Sequence, residues 1–500
     1  MNATLADALR DAAREAPDRV LVRDDDGTLT CAELLDRATT LAHALLRRMP
    51  VGSVVSFTVP NWHEAAVIYL GTTLAGMVVN PILPSLRDRE LAFILTDANS
   101  RAIFIPQSFG GHDYAAMLAR VASGLPDPPE IVAVRGDAAG HIAFGDLLTE
   151  PGSGTLPELS PADTRMILYT SGTTGRPKGV LHSHDSLRAL IEQIGHHWRV
   201  DPGDTFLVPS PIAHIGGSIY AFECPLLLGT QAVLMQRWDA DVAVRLMLEH
   251  RCTHMAGATP FLDGLLSAAQ RAGTRLPDLK VFICGGASVP PTLIRRASDY
   301  LDKSAVSRVY GSTEVPVTTV GSLDDVDRAA DTDGRPGIAD VVLVDGEIRA
   351  RGPQMLTGYL HPDDNRDSFD EAGYFRTGDL GRFTGDGHLV VTGRAKDIII
   401  RNGENISPKE VEDILVTHPG IAEIAIVGIP DPRTGERACA TVVPAEPPGP
   451  DVSELKSFLA ARGVATFKVP EQVRIVDALP KNDAGKVLKH VLKADLIKES

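Results

Sequence analysis

Cysteine is scarce in this 500-residue chain: Cys31, Cys224, Cys252, Cys284 and Cys439 are scattered and odd in number. No CxxC pair occurs among them, so neither a disulfide framework nor a zinc site is supported, and a reducing cytoplasm is the expected setting. Excess positive charge is lacking as well. Asp plus Glu outnumber Lys plus Arg by 65 to 49, giving a net charge of −16, which argues against broad nucleic-acid binding. An acidic surface still admits an anionic ligand at a local positive site. The N-terminal MNATLADALRDAAREAPDRV mixes both charge signs and carries no apolar stretch of the secretory type. One long uncharged run, Ala65 to Leu83, is interrupted by Gly71, Gly76, Asn80 and Pro81. A buried helix leading into a buried strand accounts for it better than a transmembrane segment. Neither low-complexity segments nor short repeats stand out.

What is present is a soluble globular composition, with 44% hydrophobic and 23% charged residues. The length exceeds what one hydrophobic core serves, so at least two domains are expected. Apolar β-rich runs alternate with helix-like segments: SVVSFTVP (53–60) before NWHEAAVIYLGTTLAG (61–76), then RAIFIP, TRMILYT, QAVLMQ and LKVFICGG. Such alternation predicts α/β layers with largely parallel sheets. Near residue 340 the texture changes to short strands and turns, which predicts an antiparallel sheet or small barrel. After Asp397 a compact α+β unit follows: a helix opened by Ser407 and Pro408, two strand-like runs (421–429 and 437–444), a proline-rich loop, and a helix ending at Gly463. The predicted boundary divides the chain into 1–395 and a small mobile domain at 396–500.

The strongest local signal is YTSGTTGRPKGV, Tyr169 to Val180, directly after an apolar run. Gly172, Gly175 and Gly179 permit tight turning and close backbone approach. Ser171, Thr173 and Thr174 offer hydroxyl donors and Lys178 a cation, a combination suited to a polyphosphate. The register fits neither a Walker A loop nor a GxGxxG dinucleotide turn. A polar surface loop is the bland alternative, and the full pattern is too specific for it.

With this loop, the motifs running in order from LTCAEL (29–34) to GKVLK (485–489) resemble the adenylate-forming superfamily of acyl-CoA synthetases, peptide-synthetase adenylation domains and luciferases. The resemblance covers nearly the whole chain. It implies an ATP-dependent acid–thiol ligase: a carboxylate attacks the α-phosphorus of ATP, pyrophosphate leaves, and the acyl group passes to the thiol of coenzyme A. Two anions must meet, so the protein has to neutralise charge and position the reactants. Lys486, Thr170, Glu314 and His214 take the catalytic places. In YGSTE, Tyr310 offers a ring to adenine, Gly311 and Ser312 complete the turn, Thr313 faces the α-phosphate, and Glu314 would hold Mg²⁺. Asp379 in YFRTGDLG accepts from the ribose hydroxyls, with Arg394 in GRAKD beside it. Read alone, YGSTE would be a capped helix start and Thr-Gly-Asp an Asx turn. Lys486, ordinarily cationic, bridges the two reacting anions.

The resemblance also assigns the second half-reaction. Gly403, Glu404 and Asn405 line the pantetheine tunnel, and Lys396 sits at the hinge about which the C-terminal domain rotates. The acyl pocket falls on His214, Ile215, Gly216, Ile219, Gly285, Gly286 and Ala287, with Tyr220 nearby. These small and apolar walls suit a hydrophobic medium-chain, alicyclic or aromatic acid. Amino-acid-activating relatives carry an aspartate just after the position of His214; Ile215 stands here, which argues against an amino-acid substrate. His182, His184, His196 and His197 are read as structural. A carrier-protein thiol is the alternative acceptor. The expected partners are a small carboxylic acid, ATP and CoA, with a homodimer allowed.

Overall fold

The computed structural model describes residues 4–152, 154–170, 176–286, 289–301, 303–401, 404–482 and 485–499. The loop residues Ser171, Gly172, Thr173, Thr174 and Gly175, together with Ala287 and Gly403, lie outside that set.

The uncharged run resolves into the helix His63–Leu74 and the strand Val78–Pro81. Every helix position from Ala65 to Leu74 is buried, so the segment is apolar all round rather than on one stripe. It is a core helix, and no helix among the described residues is long and apolar enough to cross a membrane.

Two large sheets form the first 310 residues. In one, the strands Ala305–Arg308, Val281–Cys284, His254–Gly257, Thr205–Val208, Gln231–Leu234 and Val20–Arg23 lie side by side in parallel, and Thr28–Thr30 closes the edge antiparallel. In the other, five parallel pairings join Thr164–Thr170, Val78–Pro81, Val54–Phe57, Ser100–Ile105, Glu130–Ala133 and Ile142–Ala143. The runs of Val, Ile and Phe reflect burial on both faces. This second sheet gains an antiparallel edge from Lys178–Ser183 and Gly358–Tyr359.

A four-stranded antiparallel sheet follows, in the order Asp340–Val344, Glu347–Arg351, Phe375–Phe383, Leu389–Arg394. It is an open ladder. The last segment builds a sheet from Ile399–Arg401, Glu404–Ile406, Ile421–Asp431, Gly435–Pro444 and Gln472–Ile475, covered by helices. Ser407 caps the helix Pro408–Leu415 by accepting from the Glu410 amide. Apolar clusters within residues 5–391 share no member with the two built from residues 399–496.

Candidate active site

The candidate phosphate loop joins two strands of a hairpin. The strands Thr164–Thr170 and Lys178–Ser183 pair antiparallel, with Thr170 directly opposite Lys178. The loop therefore springs from one sheet edge, and the register sets both of its ends. Lys178 is held where it emerges: its ammonium lies 4.8 Å above the Tyr359 ring and 3.7 Å from the Asp364 carboxylate. Arg176 pairs with the same Asp364 at 2.6 Å. On the other flank Tyr169 donates to Asp97 at 2.8 Å, and burial beside that carboxylate raises the Tyr169 pKa.

The Tyr310–Glu314 segment is a turn, not the start of a helix. Ser312 N–H donates to the Val315 carbonyl, and Leu356 N–H to the Glu314 carbonyl at 2.7 Å. His182 reaches up from the hairpin strand and bonds the Thr313 carbonyl at 2.8 Å through Nε2. A carbonyl only accepts, so that nitrogen carries the proton. Burial pushes His182 down to about 4, which keeps it neutral near pH 7. Glu314 accepts from the Tyr359 hydroxyl at 3.0 Å. Tyr359 thus touches both the loop cation and the turn carboxylate. It sits on the two-residue strand Gly358–Tyr359, opposite Val180.

Asp379 is brought to the same place by sheet register. It stands in the strand Phe375–Phe383 directly across from Arg394, whose Nε is 2.9 Å from Oδ1. The Tyr310 hydroxyl donates to the other oxygen, Oδ2, at 2.8 Å. Asp379 is therefore oriented from two sides, in a strand rather than in an Asx turn.

Lys486 comes from the C-terminal unit. It sits in a tight turn in which Gly485 N–H bonds the Asn482 carbonyl, and the Lys486 amide bonds Asn482 Oδ1 at 2.8 Å. Gly485 has φ +77°, and a Cβ there would lie 3.0 Å from Pro260 Cγ of the large domain. The Lys486 side chain is exposed to solvent on one side. Crowding between the domains strips away part of its hydration. Together with the Arg394 charge this pushes it down to about 8, with Asp379 opposing. Lys396, in the turn Ala395–Asp397, is exposed and adds a further repulsion. Glu404 and Asn405 lie exposed on their strand.

The expected acyl walls divide into three groups. His214 opens the short helix Ile215–Ser218, and Ile215 and Gly216 are half-buried beside it. A Cβ on Gly216 or Gly286 would meet nothing within 4 Å, so both border open space. Gly285 is different: a Cβ would fall 2.4 Å from Val309, so strand packing demands glycine there. Ile219 is 1% exposed within the main core, and the Tyr220 ring stacks on Phe206 at 5.3 Å. Both begin a π-helical turn, Ile219–Glu223, a local bulge in the helix. Its last residue, Glu223, forms a wholly buried cluster with Arg165 (2.7 Å) and Tyr69 (2.6 Å). This cluster ties the helix behind the acyl walls to the strand that ends in the phosphate loop.

Sequence reasoning missed Tyr359, Asp364, Gln193 and the Arg165–Glu223–Tyr69 cluster. Arg165 is the one charge in the run TRMILYT, and no motif marks it. Of the histidines read as structural, His184 accepts from Leu5 N–H at 3.3 Å.

A two-domain fold that links Lys178 to Glu314 through Tyr359, pairs Asp379 with Arg394, and brings Lys486 within electrostatic reach of that pair is the build of an adenylate-forming enzyme. The chain belongs to the AMP-binding enzyme family: residues 9–360 match that domain, and residues 410–486 match its C-terminal domain. It is 33% identical to a medium-chain fatty-acid–CoA ligase of Escherichia coli (strain K12), over 99% of this chain and 91% of that protein. It is 34% identical to a 3-(7a-methyl-1,5-dioxo-octahydro-1H-inden-4-yl)propanoyl:CoA ligase of Rhodococcus jostii (strain RHA1), over 98% of each. ATP-bound MatB from Rhodopseudomonas palustris superposes with a TM-score of 0.88 at 29% identity, all of both chains covered. The apo form of that protein gives 0.78.

Proposed function

We propose that this chain is an ATP-dependent carboxylic acid–CoA ligase working through an acyl-adenylate, on a hydrophobic medium-chain, alicyclic or aromatic acid, in a reducing cytoplasm. The observation that carries this reading is the convergence of a C-terminal cation, Lys486, on the Asp379–Arg394–Tyr310 cluster of the large domain. The small and glycine walls at 214–216 and 286 favour an uncharged acyl group.

In the first step a carboxylate oxygen bonds to the α-phosphorus and the bond to the pyrophosphate oxygen breaks. Lys486 supplies positive charge where the two anions meet. Lys178 and Arg176 attract the leaving polyphosphate, and Asp379 receives the ribose hydroxyls. Glu314 fits Mg²⁺. One carboxylate suffices, because this ion keeps most of its shell from water and phosphate oxygens. Its bound charge would offset that of the phosphates. In the second step the sulfur of CoA attacks the acyl carbon and AMP leaves with the carbon–oxygen electron pair. We place the hinge at Lys396, with 1–395 carrying the nucleotide and acid sites and 396–500 carrying Lys486 and the Gly403–Asn405 tunnel residues.

The test is pyrophosphate release from ATP with a panel of acids, with and without CoA. Release together with acyl-CoA formation upholds the reading. Release with transfer only to a phosphopantetheinyl carrier protein would select the carrier-loading alternative. No release with any acid would refute both.

A further inference from the structure

Val317 has φ +46°, a left-handed backbone that a β-branched residue adopts only under constraint. The constraint is visible. Gln193, 2% exposed on the helix His184–His197, donates from Nε2 to the Val317 carbonyl at 2.9 Å. Its Oε1 accepts from Ile338 N–H at 2.6 Å. A carbonyl on one side and an amide on the other fix the orientation of the side-chain amide. The fit is close: a Cβ on Gly337 would lie 1.9 Å from Gln193 Oε1. Val317 in turn supports the nucleotide turn, since a Cβ on Gly311 would lie 2.6 Å from the Val317 nitrogen. The helix of Gln193 directly follows the phosphate-loop hairpin, whose His182 holds the Thr313 carbonyl.

We propose that Gln193 is a positioning residue for ATP: it clamps Val317 in its left-handed conformation and so locks the Tyr310–Glu314 turn in register with the phosphate-loop hairpin. The proposal rests on the reading of that turn as part of the nucleotide site. Strained residues persist only where their surroundings over-determine them, and they cluster where geometry must be exact to a fraction of an ångström. A glycine at 317 would adopt this backbone unaided. The strain in Val317 therefore makes the turn depend on the clamp.

Gln193→Leu removes both hydrogen bonds at similar volume. In ATP–pyrophosphate exchange its KM for ATP should rise about tenfold, while the KM for the acid stays within about threefold. Amide hydrogen exchange across 311–319 should quicken. Val317→Gly alone should leave the KM for ATP within about threefold, and added to Gln193→Leu it should bring that KM back near wild type, a strong non-additivity. An unchanged KM for ATP in folded Gln193→Leu, or a double variant no better than the single, overturns the clamp. Should Gln193→Leu not fold, the double variant decides: recovery of folding with wild-type KM upholds the proposal, and failure to recover overturns it. If the wild-type protein shows no exchange with any acid, the nucleotide reading fails. Hydrogen exchange at 311–319 then still decides whether Gln193 holds the turn.

Discussion

The two halves of the candidate site are held in opposite ways. On the large domain, Asp379 is fixed by Arg394 across the sheet and by the Tyr310 hydroxyl, the 310–314 turn is held by His182, and Gln193 bonds the Val317 carbonyl that follows it. On the small domain, Lys486 is placed by a turn that touches the large domain at Pro260, and Ser407 adds a bond to the Thr392 carbonyl. One half is preorganised within the large domain. The other meets it from a unit whose apolar clusters share no member with those of the large domain. On the proposed reading, a site that admits first a lysine and then a thiol needs this asymmetry, with the nucleotide staying while the cation departs.

The comparison breaks most visibly at Lys486. Lys486→Ala should lower ATP–pyrophosphate exchange by about 10³-fold, in the range of losing a preorganised charge at the reacting centre. It should leave both Tm and CoA transfer from synthetic acyl-adenylate nearly unchanged. Equal loss in both half-reactions would put the lysine in the permanent frame instead.

The frame itself should answer to stability. Arg165→Met leaves Glu223 buried without its cation and should cost about 3–5 kcal/mol in denaturant unfolding, monitored by circular dichroism. Replacing both, as Arg165→Met with Glu223→Leu, should recover most of that loss. Tyr359→Phe keeps the ring under Lys178 and deletes only the hydroxyl at Glu314. It should raise the Mg²⁺ concentration needed for half-maximal exchange by about three- to tenfold, with little change in Tm.

The same charge can be removed without mutation, by pH. Lys486 acts as a cation and titrates near 8, so it is charged below that pH and neutral above it. The kcat/KM of exchange should hold steady below and fall as pH rises through about 8. CoA transfer from acyl-adenylate should show no such decline. A flat profile for exchange would remove the lysine charge from the first step.

Much of the candidate site was legible in the sequence because its residues lie in contiguous motifs. Lys178, Glu314 and Asp379 each stand in a short pattern of glycines and hydroxyls, and Lys486 directly follows Gly485 in LPKNDAGKVLK. The helix Pro408–Leu415 begins where Ser407 and Pro408 placed it. What stayed hidden depends on register between distant segments. Tyr359 reaches Glu314 only because a two-residue strand adds to the hairpin edge, and Gln193 meets Val317 across 124 positions. Arg165, Glu223 and Tyr69 carry no pattern until two sheets pack. The acyl walls were read as one lining. The structure separates glycines bordering open space (Gly216, Gly286) from one required by strand packing (Gly285) and from core residues (Ile219, Tyr220).

At the root of the account is a lysine on one core completing an anion site on another, for the first of two reactions only. Rapid-quench single turnovers of wild type and Lys486→Ala, started once from ATP plus acid and once from preformed acyl-adenylate plus CoA, measure this directly. The account predicts that the variant fails from the first start and keeps pace with wild type from the second. Equal rates for the two proteins from ATP plus acid would contradict it.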